Sequence, residues 1–308
     1  MAYSFKDCLK NAYKVNWRIE DVVGGREFDP AADWLPRRLS GADALACLDA
    51  GEKRKLTQIE AASYAHLFTY VEEFIAPTVL DLAKDHQIDD RTAFDALTNF
   101  AAEEVKHMNL FRQVRDKVNN ALGMDTRLLG GEDETARFVM SKNTGAVLLL
   151  TACIEWFTQK HYLECFADDQ DLDPFTKHIF KCHWMEESQH AKMDHLEAIR
   201  YFSSASAADR EEAIDDLIEL VAAVDGLLQT QVGYDVDNLS FYLGRAFTTE
   251  ERREICDSIL RAKRYTFLES GVTHPRFVEL FQEVATPEQQ AKVGEALTAL
   301  FASEAAAA

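Results

Sequence analysis

The sequence predicts an all-α protein whose core is a bundle of four long helices. Glycine and proline, which end or interrupt helices, account for only 13 and 6 of the 308 residues. Apolar residues recur at helical spacing through several long segments. No segment of strand length shows the alternating pattern of a half-buried β-strand. We therefore expect a single helical domain over residues 1–308.

The four core helices are predicted within residues 56–202. The first covers about 56–84. The second ends at about 122, before Gly123, and Asp89 or Asp90 can cap its start. A glycine-rich connection leads to a third helix near 141–166, and Pro174 starts the fourth.

The segments on either side of this core, 1–55 and 203–308, are expected to be helical extensions packed on it. Glycines and prolines restrict the N-terminal segment to short helices and loops. Helices of the C-terminal segment are expected at about 209–231, at about 248–270, and after each of the prolines Pro275 and Pro287.

Charge and composition exclude several classes of function. The formal net charge of −20 repels nucleic-acid phosphates and anionic membrane surfaces, so neither is an expected partner. The longest apolar run, within 146–157, is too short to cross a bilayer, and the N-terminus does not resemble a signal peptide. The six cysteines form no Cys-x-x-Cys pair, which is typical of a cytoplasmic protein with reduced thiols.

Two Glu-x-x-His motifs are the main candidates for a functional site. Glu104 and His107 lie in the second predicted helix, and Glu187 and His190 lie in the fourth. A spacing of three places both side chains of a motif on one helix face, about 5–6 Å apart at Cβ, so that both can bind one metal ion. A single motif of this kind is common by chance on charged helices.

The helix faces that carry these motifs favour a metal site. Both faces follow the spacing of residues that point into a bundle core: Leu97, Phe100, Glu104, His107, Phe111 and Val114 in the second helix, and His183, Glu187, His190 and Asp194 in the fourth. An unpaired charge in a core costs several kcal/mol, so buried charges persist where they are paired or bind a metal.

Two further glutamates complete the predicted set of ligands. Glu155 is the only charged residue in its apolar run, and it precedes Glu187 by 32 residues. The same separation of 32 residues, counted back from Glu104, gives Glu72 on an apolar stripe. Glu73, on a more mixed face, is the alternative. Two hairpins that each supply one Glu and one Glu-x-x-His build the arrangement of a di-metal carboxylate bundle.

Other ionisable residues receive smaller roles. His183, one turn before Glu187, is either a third nitrogen ligand or a histidine that packs beside the ligands. Asp194 is expected to accept a hydrogen bond from His190 and so fix the tautomer of that imidazole. The remaining histidines of interest are more often packed or exposed than bound to a metal, and are lesser candidates: His66, His161 and His195.

At this point the sequence resembles the ferritin-like di-iron carboxylate proteins, over residues 56–202. In that family a glutamate is followed some 30 residues later by an acidic-Glu-x-x-His motif, and the pattern occurs twice. The histidine at 183, four residues before Glu187, is similar to the arylamine N-oxygenase branch, of which p-aminobenzoate N-oxygenase is typical. Glu103 and Glu186 stand where that branch often has Asp, and Lys106 and Gln189 where it often has Arg.

The resemblance implies a ferritin-like fold and a di-iron oxygenase that activates O₂ to oxidise a small organic substrate. N-oxygenation of an aryl amine is one such reaction. The cofactor would be two Fe ions, with Mn as a variant, and the partners would be O₂, the substrate, an external electron donor and a second copy of the chain in a homodimer. Glu104 and Glu187 would be the catalytic carboxylates. The implied metal ligands are Glu72, Glu104, His107, Glu155, His183, Glu187 and His190.

Three alternatives compete with this interpretation. A ferritin- or rubrerythrin-like protein would handle iron or peroxide without oxygenating a substrate. The small subunit of ribonucleotide reductase usually has a tyrosine four residues after the first motif's histidine, where this chain has Phe111. A metal-free helical interaction protein would have to bury several ionised groups without compensation.

Overall fold

The computed structural model describes residues 3–302, and within that range the chain forms α-helices joined by loops. The prediction of an all-α protein is confirmed. The helices are, in chain order, α1 Phe5–Val15, α2 Ile19–Val23, α3 Arg37–Ser40, α4 Ala50–His86, α5 Arg91–Leu122, α6 Glu132–Met140, α7 Thr144–His161, α8 Pro174–Ser204, α9 Ala207–Leu243, α10 Thr249–Arg264, α11 Ser270–Val272, α12 Pro275–Val284 and α13 Pro287–Ala302. A 3₁₀ turn covers Ala42–Ala44, and π-helical turns extend α7 over Tyr162–Phe166 and α10 over Tyr265–Glu269.

The four long core helices are α4, α5, α7 and α8. Helix α4 packs along α5, and α7 packs along α8. The two members of the first pair are joined by only residues 87–90, so they run antiparallel as a helical hairpin. Fully buried aromatic rings fill the space between the core helices, among them Phe100, Phe111 and Phe157. The N-terminal helix α1 covers α5 and α8, and α9 covers α4 and α7.

Side-chain caps define where the core helices begin and end. The predicted cap Asp90 accepts hydrogen bonds from the backbone N–H groups of Thr92 and Ala93, and Gly123, with φ +69°, ends α5 in the left-handed conformation. Asp173 caps α8 directly before Pro174, as expected. Helix α4 starts earlier than predicted because Asp49 and Glu52 form a capping box there.

Two segments differ from the prediction. The connection before α7 contains the short helix α6, for which no prediction was made from the sequence. Helix α9 continues to Leu243 and does not end near 231. Its last turns carry polar residues that resemble a loop in sequence, but Gln231 and Asn238 accept hydrogen bonds from the backbone N–H groups of Leu129 and Arg127. These contacts with the preceding connection stabilise the extra turns.

Buried ion pairs attach the C-terminal extension to the core. The ammonium group of Lys263 in α10 lies 2.6 Å from Glu60 in α4 and 3.1 Å from Asp235 in α9, and it also donates to Ser63. The neighbouring Arg264 donates to Asp225 in α9. Helices α4, α9 and α10 therefore share one buried polar network. Within residues 3–302, no helix combines the length and the apolar character needed to cross a membrane.

Candidate metal centre

Each of the four core helices brings a buried carboxylate to the middle of the bundle. These are Glu72 in α4, Glu104 in α5, Glu155 in α7 and Glu187 in α8, each no more than 2% exposed. Three imidazoles, those of His107, His183 and His190, lie among them and are equally buried. The structure thus gathers all seven residues that the sequence selected.

Six of these residues form two overlapping groups of four. In each group, the candidate ligand atoms lie within 4.8 Å of one another. The first group is Glu72, His107, His183 and Glu187, and the second is Glu104, His107, Glu187 and His190. His107 and Glu187 belong to both groups, so the arrangement offers two adjacent positions for a cation.

The carboxylate of Glu187 lies between the two positions. Its Oε1 is 2.5 Å from His183 Nε2 and 2.9 Å from His107 Nδ1, whereas its Oε2 is 2.7 Å from His190 Nδ1. One oxygen therefore faces each position, which is what a carboxylate that bridges two metal ions requires.

Buried polar atoms without hydrogen bonds test whether a metal pair fits here. Both carboxylate oxygens of Glu72 and Oε2 of Glu155 are buried and make no hydrogen bond. Buried polar atoms are normally satisfied, and leaving several unsatisfied in one place would be costly. Carboxylate oxygens and imidazole nitrogens are donors that suit iron and manganese. The residues present therefore fit a pair of divalent cations.

The ionisation of the cluster also indicates a need for positive charge. Burial raises the pKa of Glu72 to about 8, and burial together with the nearby Glu187 raises the pKa of Glu155 well above its usual range. Burial acts in the same direction on Glu187, but the imidazoles of His183, His190 and His107 outweigh it and hold its pKa well below the usual range. Burial therefore disfavours the ionised forms of Glu72 and Glu155, and a nearby cation would favour them.

A carboxylate from the opposite motif supports each motif histidine. His107 in α5 bonds through Nε2 to Glu186 of α8 at 2.8 Å, and His190 in α8 bonds through Nε2 to Glu103 of α5 at 2.9 Å. The Nε2 atoms of His107 and His190 are thereby held in place, and the Nδ1 atom of each ring is turned toward the cluster. We call these two contacts the crossed carboxylate–histidine pairs.

The expectation that Asp194 orients His190 is wrong, because Glu103 occupies that position. Asp194 lies one turn further along α8 and faces α7, where its carboxyl group interacts with Thr151. Burial raises the pKa of Asp194 well above its usual range. The sequence did contain a signal for the crossed pairs, because both motifs begin with two consecutive glutamates. Which residue faces which histidine depends on how α5 and α8 are rotated against each other.

Comparison with known proteins identifies the family. The family model of the p-aminobenzoate N-oxygenase AurF matches residues 11–228, which is most of the chain and includes all seven cluster residues. The chain belongs to this family. The predicted resemblance is confirmed, and the chain is a di-iron oxygenase, an O₂-dependent oxidoreductase. No curated protein sequence matches the chain.

Solved structures with a similar helical arrangement also exist. One is an R2-like ligand-binding oxidase with an aerobically reconstituted Mn/Fe cofactor, at 14% identity and a TM-score of 0.42, covering 85% of this chain and 92% of that one. A variant of such an oxidase, reconstituted anaerobically with Mn/Fe, gives 15% identity and a TM-score of 0.44, covering 85% and 93%. At this level of similarity they add nothing about activity.

In this N-oxygenase family member, the choice between the adjacent glutamates of α4 is decided by position. Glu72 points into the cluster, with Oε1 3.6 Å from His183 Nε2. Glu73 points away from it and forms an ion pair with Arg112 on a partly exposed face. The structure therefore places Glu72 among the candidate ligands.

Aromatic rings enclose the histidine side of the N-oxygenase cluster. Phe68 and Phe111 meet the ring of His183 edge-on, with centroids 5.1 Å and 4.8 Å away. Phe100 stacks on His190 with its centroid 3.9 Å away. Phe111 is the residue that stands where a reductase small subunit usually has tyrosine, so no hydroxyl is present at that position. These rings exclude water from the imidazoles.

The three lesser histidine candidates lie apart from both groups of candidate ligands. His66 bonds to the carbonyl of Leu129, and His161 bonds through Nε2 to the hydroxyl of Ser270 at 2.7 Å. His195 packs edge-on against Tyr3 with ring centroids 5.1 Å apart.

Removing one crossed carboxylate–histidine pair is expected to weaken the centre without destroying it. The Glu186→Ala variant should lose about 10–100-fold in iron affinity, the range typical of such supporting partners. Glu186→Gln, which keeps an oxygen acceptor, should lose less. A competition titration against a chelator measures both. Glu20→Ala, a substitution at an exposed glutamate, serves as the control. If the Glu186→Ala variant bound iron as tightly as this control, the role assigned to Glu186 would be wrong.

Proposed function

We propose that this chain oxidises the nitrogen of a small aryl amine, using O₂ and a pair of iron ions held by Glu72, Glu104, His107, Glu155, His183, Glu187 and His190. The single observation that carries the proposal is the buried double group of ligands with Glu187 between its two positions. Family membership supports the reaction type. Manganese, which suits the same donors, is the alternative metal.

Different residues at this site have different proposed roles. A bound iron pair would supply the electrons and the Lewis acidity for O₂ activation. Glu104 and Glu187, the carboxylates of the two motifs, would hold the pair from the histidine side and are the proposed catalytic carboxylates. Glu72 and Glu155 close the other side. The crossed carboxylate–histidine pairs keep the imidazoles of His107 and His190 fixed, and the unpartnered oxygens of Glu72 remain available to a cation.

The substrate amine must reach the metals from the side of Glu72 and Glu155. The histidine side is sealed by Phe68, Phe111 and Phe100. Closure of this kind keeps water away from the oxidising centre and prevents the oxidant from being consumed by side reactions.

The decisive experiment loads the metal-free protein with Fe(II) under anaerobic conditions and then adds ¹⁸O₂ and an aryl amine. We expect about two irons per chain and product with ¹⁸O bound to nitrogen, detected by mass spectrometry. Protein loaded with zinc, which has no redox chemistry, is the matched control and should form no product. Ferric mineral without an oxygenated amine would instead support iron storage.

Three finer statements belong to the same proposal. We propose that the chain folds as one unit, acts as a homodimer in the cytoplasm, and receives electrons from an external donor. The six cysteines support a reducing environment, since none of them forms a disulfide in the structure. Sedimentation of the purified protein tests the dimer, and a single cooperative unfolding transition tests the single unit.

A further inference from the structure

Two apolar cavities lie beside α7, the helix that carries Glu155, and one of them also borders α4, the helix that carries Glu72. The outer cavity, of about 200 Å³, lies between α7, α9, α12 and α13 and the π-helical turn after α10. The inner cavity, of about 60 Å³, lies between α4, α6, α7 and α9. Leu150 and Phe267 line both, so these two side chains form the partition between them.

The inner cavity adjoins the turns of α4 and α7 that carry two glutamates of the cluster. Val71 and Ile154 line it, and in the chain each directly precedes a glutamate of the cluster, Glu72 or Glu155. Phe157, another wall residue, contacts Phe68 with centroids 6.1 Å apart. Phe68 in turn touches His183. Phe68 therefore lies between a wall residue of the inner cavity and the cluster, whereas Leu150 and Phe267 lie between the inner and outer cavities.

No charged side chain lines either cavity among the residues that the structure describes. The polar groups are few, and the hydroxyl of Tyr70 is already donated to the carbonyl of Gly130. The nearest buried cations on α10, Lys263 and Arg264, are engaged by carboxylates of α4 and α9. A carboxylate on a bound ring would therefore find no cationic partner in these cavities.

We propose that the outer cavity admits an uncharged aryl amine with a single ring and excludes a ring that carries a carboxylate. This inference rests on the proposed function and names its substrate class. An apolar cavity of about 150 Å³ is known to bind benzene, so the outer cavity is large enough for one ring with a small substituent. An aryl amine with an apolar or neutral substituent is the chemistry that these walls recognise, whereas p-aminobenzoate would bury an unpaired charge.

Leu150 and Phe267 are then the residues that determine specificity. The ring of Phe267 packs on Phe157 and approaches Phe68, with centroids 5.6 Å and 6.4 Å away. It lies in the π-helical turn Tyr265–Glu269, a local irregularity that often occurs at functional positions. Rotation of the Phe267 side chain would join the outer cavity to the inner one and let a ring reach Glu72 and Glu155.

The test compares two ligands of the same shape and different charge on the metal-free protein. Binding of p-aminobenzamide and p-aminobenzoate is measured by calorimetry and by ligand-observed NMR, with p-toluidine as an apolar third ligand. We expect one molecule of the two neutral amines to bind per chain, and p-aminobenzoate to bind at least about 100-fold more weakly, because an unpaired carboxylate remains in water. Equal affinity for the amide and the carboxylate, or no binding of either neutral amine, would overturn the proposal.

Substitutions of the two partition residues test whether the ligand binds in these cavities. Leu150→Trp should fill space in both cavities and abolish binding of the neutral amines. Leu150→Ala should retain binding. Circular dichroism shows whether each variant is folded. If Leu150→Trp does not fold, Phe267→Ala, which opens the partition, should strengthen binding of p-toluidine severalfold. Neutral-amine binding that none of these substitutions alters would contradict the assigned cavity. Since these measurements need no metal and no O₂, their failure is distinct from failure of the ¹⁸O₂ experiment.

Discussion

The Glu72→Ala variant is expected to lose tight iron binding. Glu72 is the only carboxylate that α4 contributes to the cluster, and it belongs to the group that also contains His183. Without Glu72, the metal position beside His183 would keep only Glu187 as a carboxylate, and Glu187 also faces the second position. The loss in affinity should exceed the roughly 10–100-fold cost of removing a supporting partner. Iron content after anaerobic loading, measured by emission spectroscopy, gives the result.

The adjacent glutamate provides a matched control. Glu73→Ala removes the same number of atoms one residue further along α4, where the side chain pairs with Arg112 outside the cluster. This variant should retain about two irons per chain. The assignment would be wrong if Glu73→Ala lost iron and Glu72→Ala kept it. Glu155→Ala is expected to behave like Glu72→Ala, because Glu155 is the only cluster residue on α7.

The Lys263→Met variant is expected to lose about 3–5 kcal/mol of unfolding free energy, the usual cost of removing one partner from a buried ion pair. Lys263 is 2% exposed and lies between Glu60 and Asp235. Burial and the proximity of Asp235 raise the pKa of Glu60 well above its usual range, and Lys263 opposes both effects. Without the ammonium group, two buried carboxyl groups would face each other. Urea unfolding of the metal-free protein measures the change.

A surface lysine provides the comparison for this variant. Lys292 also contacts two carboxylates, Glu211 and Asp215, but on the exposed face of α13. Lys292→Met should leave the unfolding midpoint unchanged within error, because water screens exposed ion pairs. If the two lysine variants had the same midpoint, the buried network would not hold the C-terminal helices to the core.

The sequence predicted the parts of the site that depend on a single helix. The spacing of Glu104 from His107, and the isolation of Glu155 in an apolar run, determine which helix face each side chain occupies. Those faces point into the core because the rest of each face is apolar. Glu104, His107, Glu155, Glu187 and His190 could therefore be selected from the pattern alone, whereas Glu72 competed with Glu73 and His183 was a ligand only by resemblance to the family.

The features that sequence reasoning missed depend on contacts between distant segments. The crossed carboxylate–histidine pairs require a particular rotation of α5 against α8. The last turns of α9 look like a loop until Gln231 and Asn238 meet the backbone at Leu129 and Arg127. The two cavities are formed by helices that are far apart in the chain, so their size and lack of charge could not be read from periodicity.

The crossed carboxylate–histidine pairs also determine when the centre can form. Each helical hairpin supplies a histidine whose supporting carboxylate belongs to the other hairpin, so neither hairpin contains a self-sufficient half of the site. The repeated separation of 32 residues, from Glu72 to Glu104 and from Glu155 to Glu187, makes the two hairpins equivalent. Neither histidine is therefore fully oriented until the two halves of the bundle have packed together, so the metal centre is completed only in the assembled bundle.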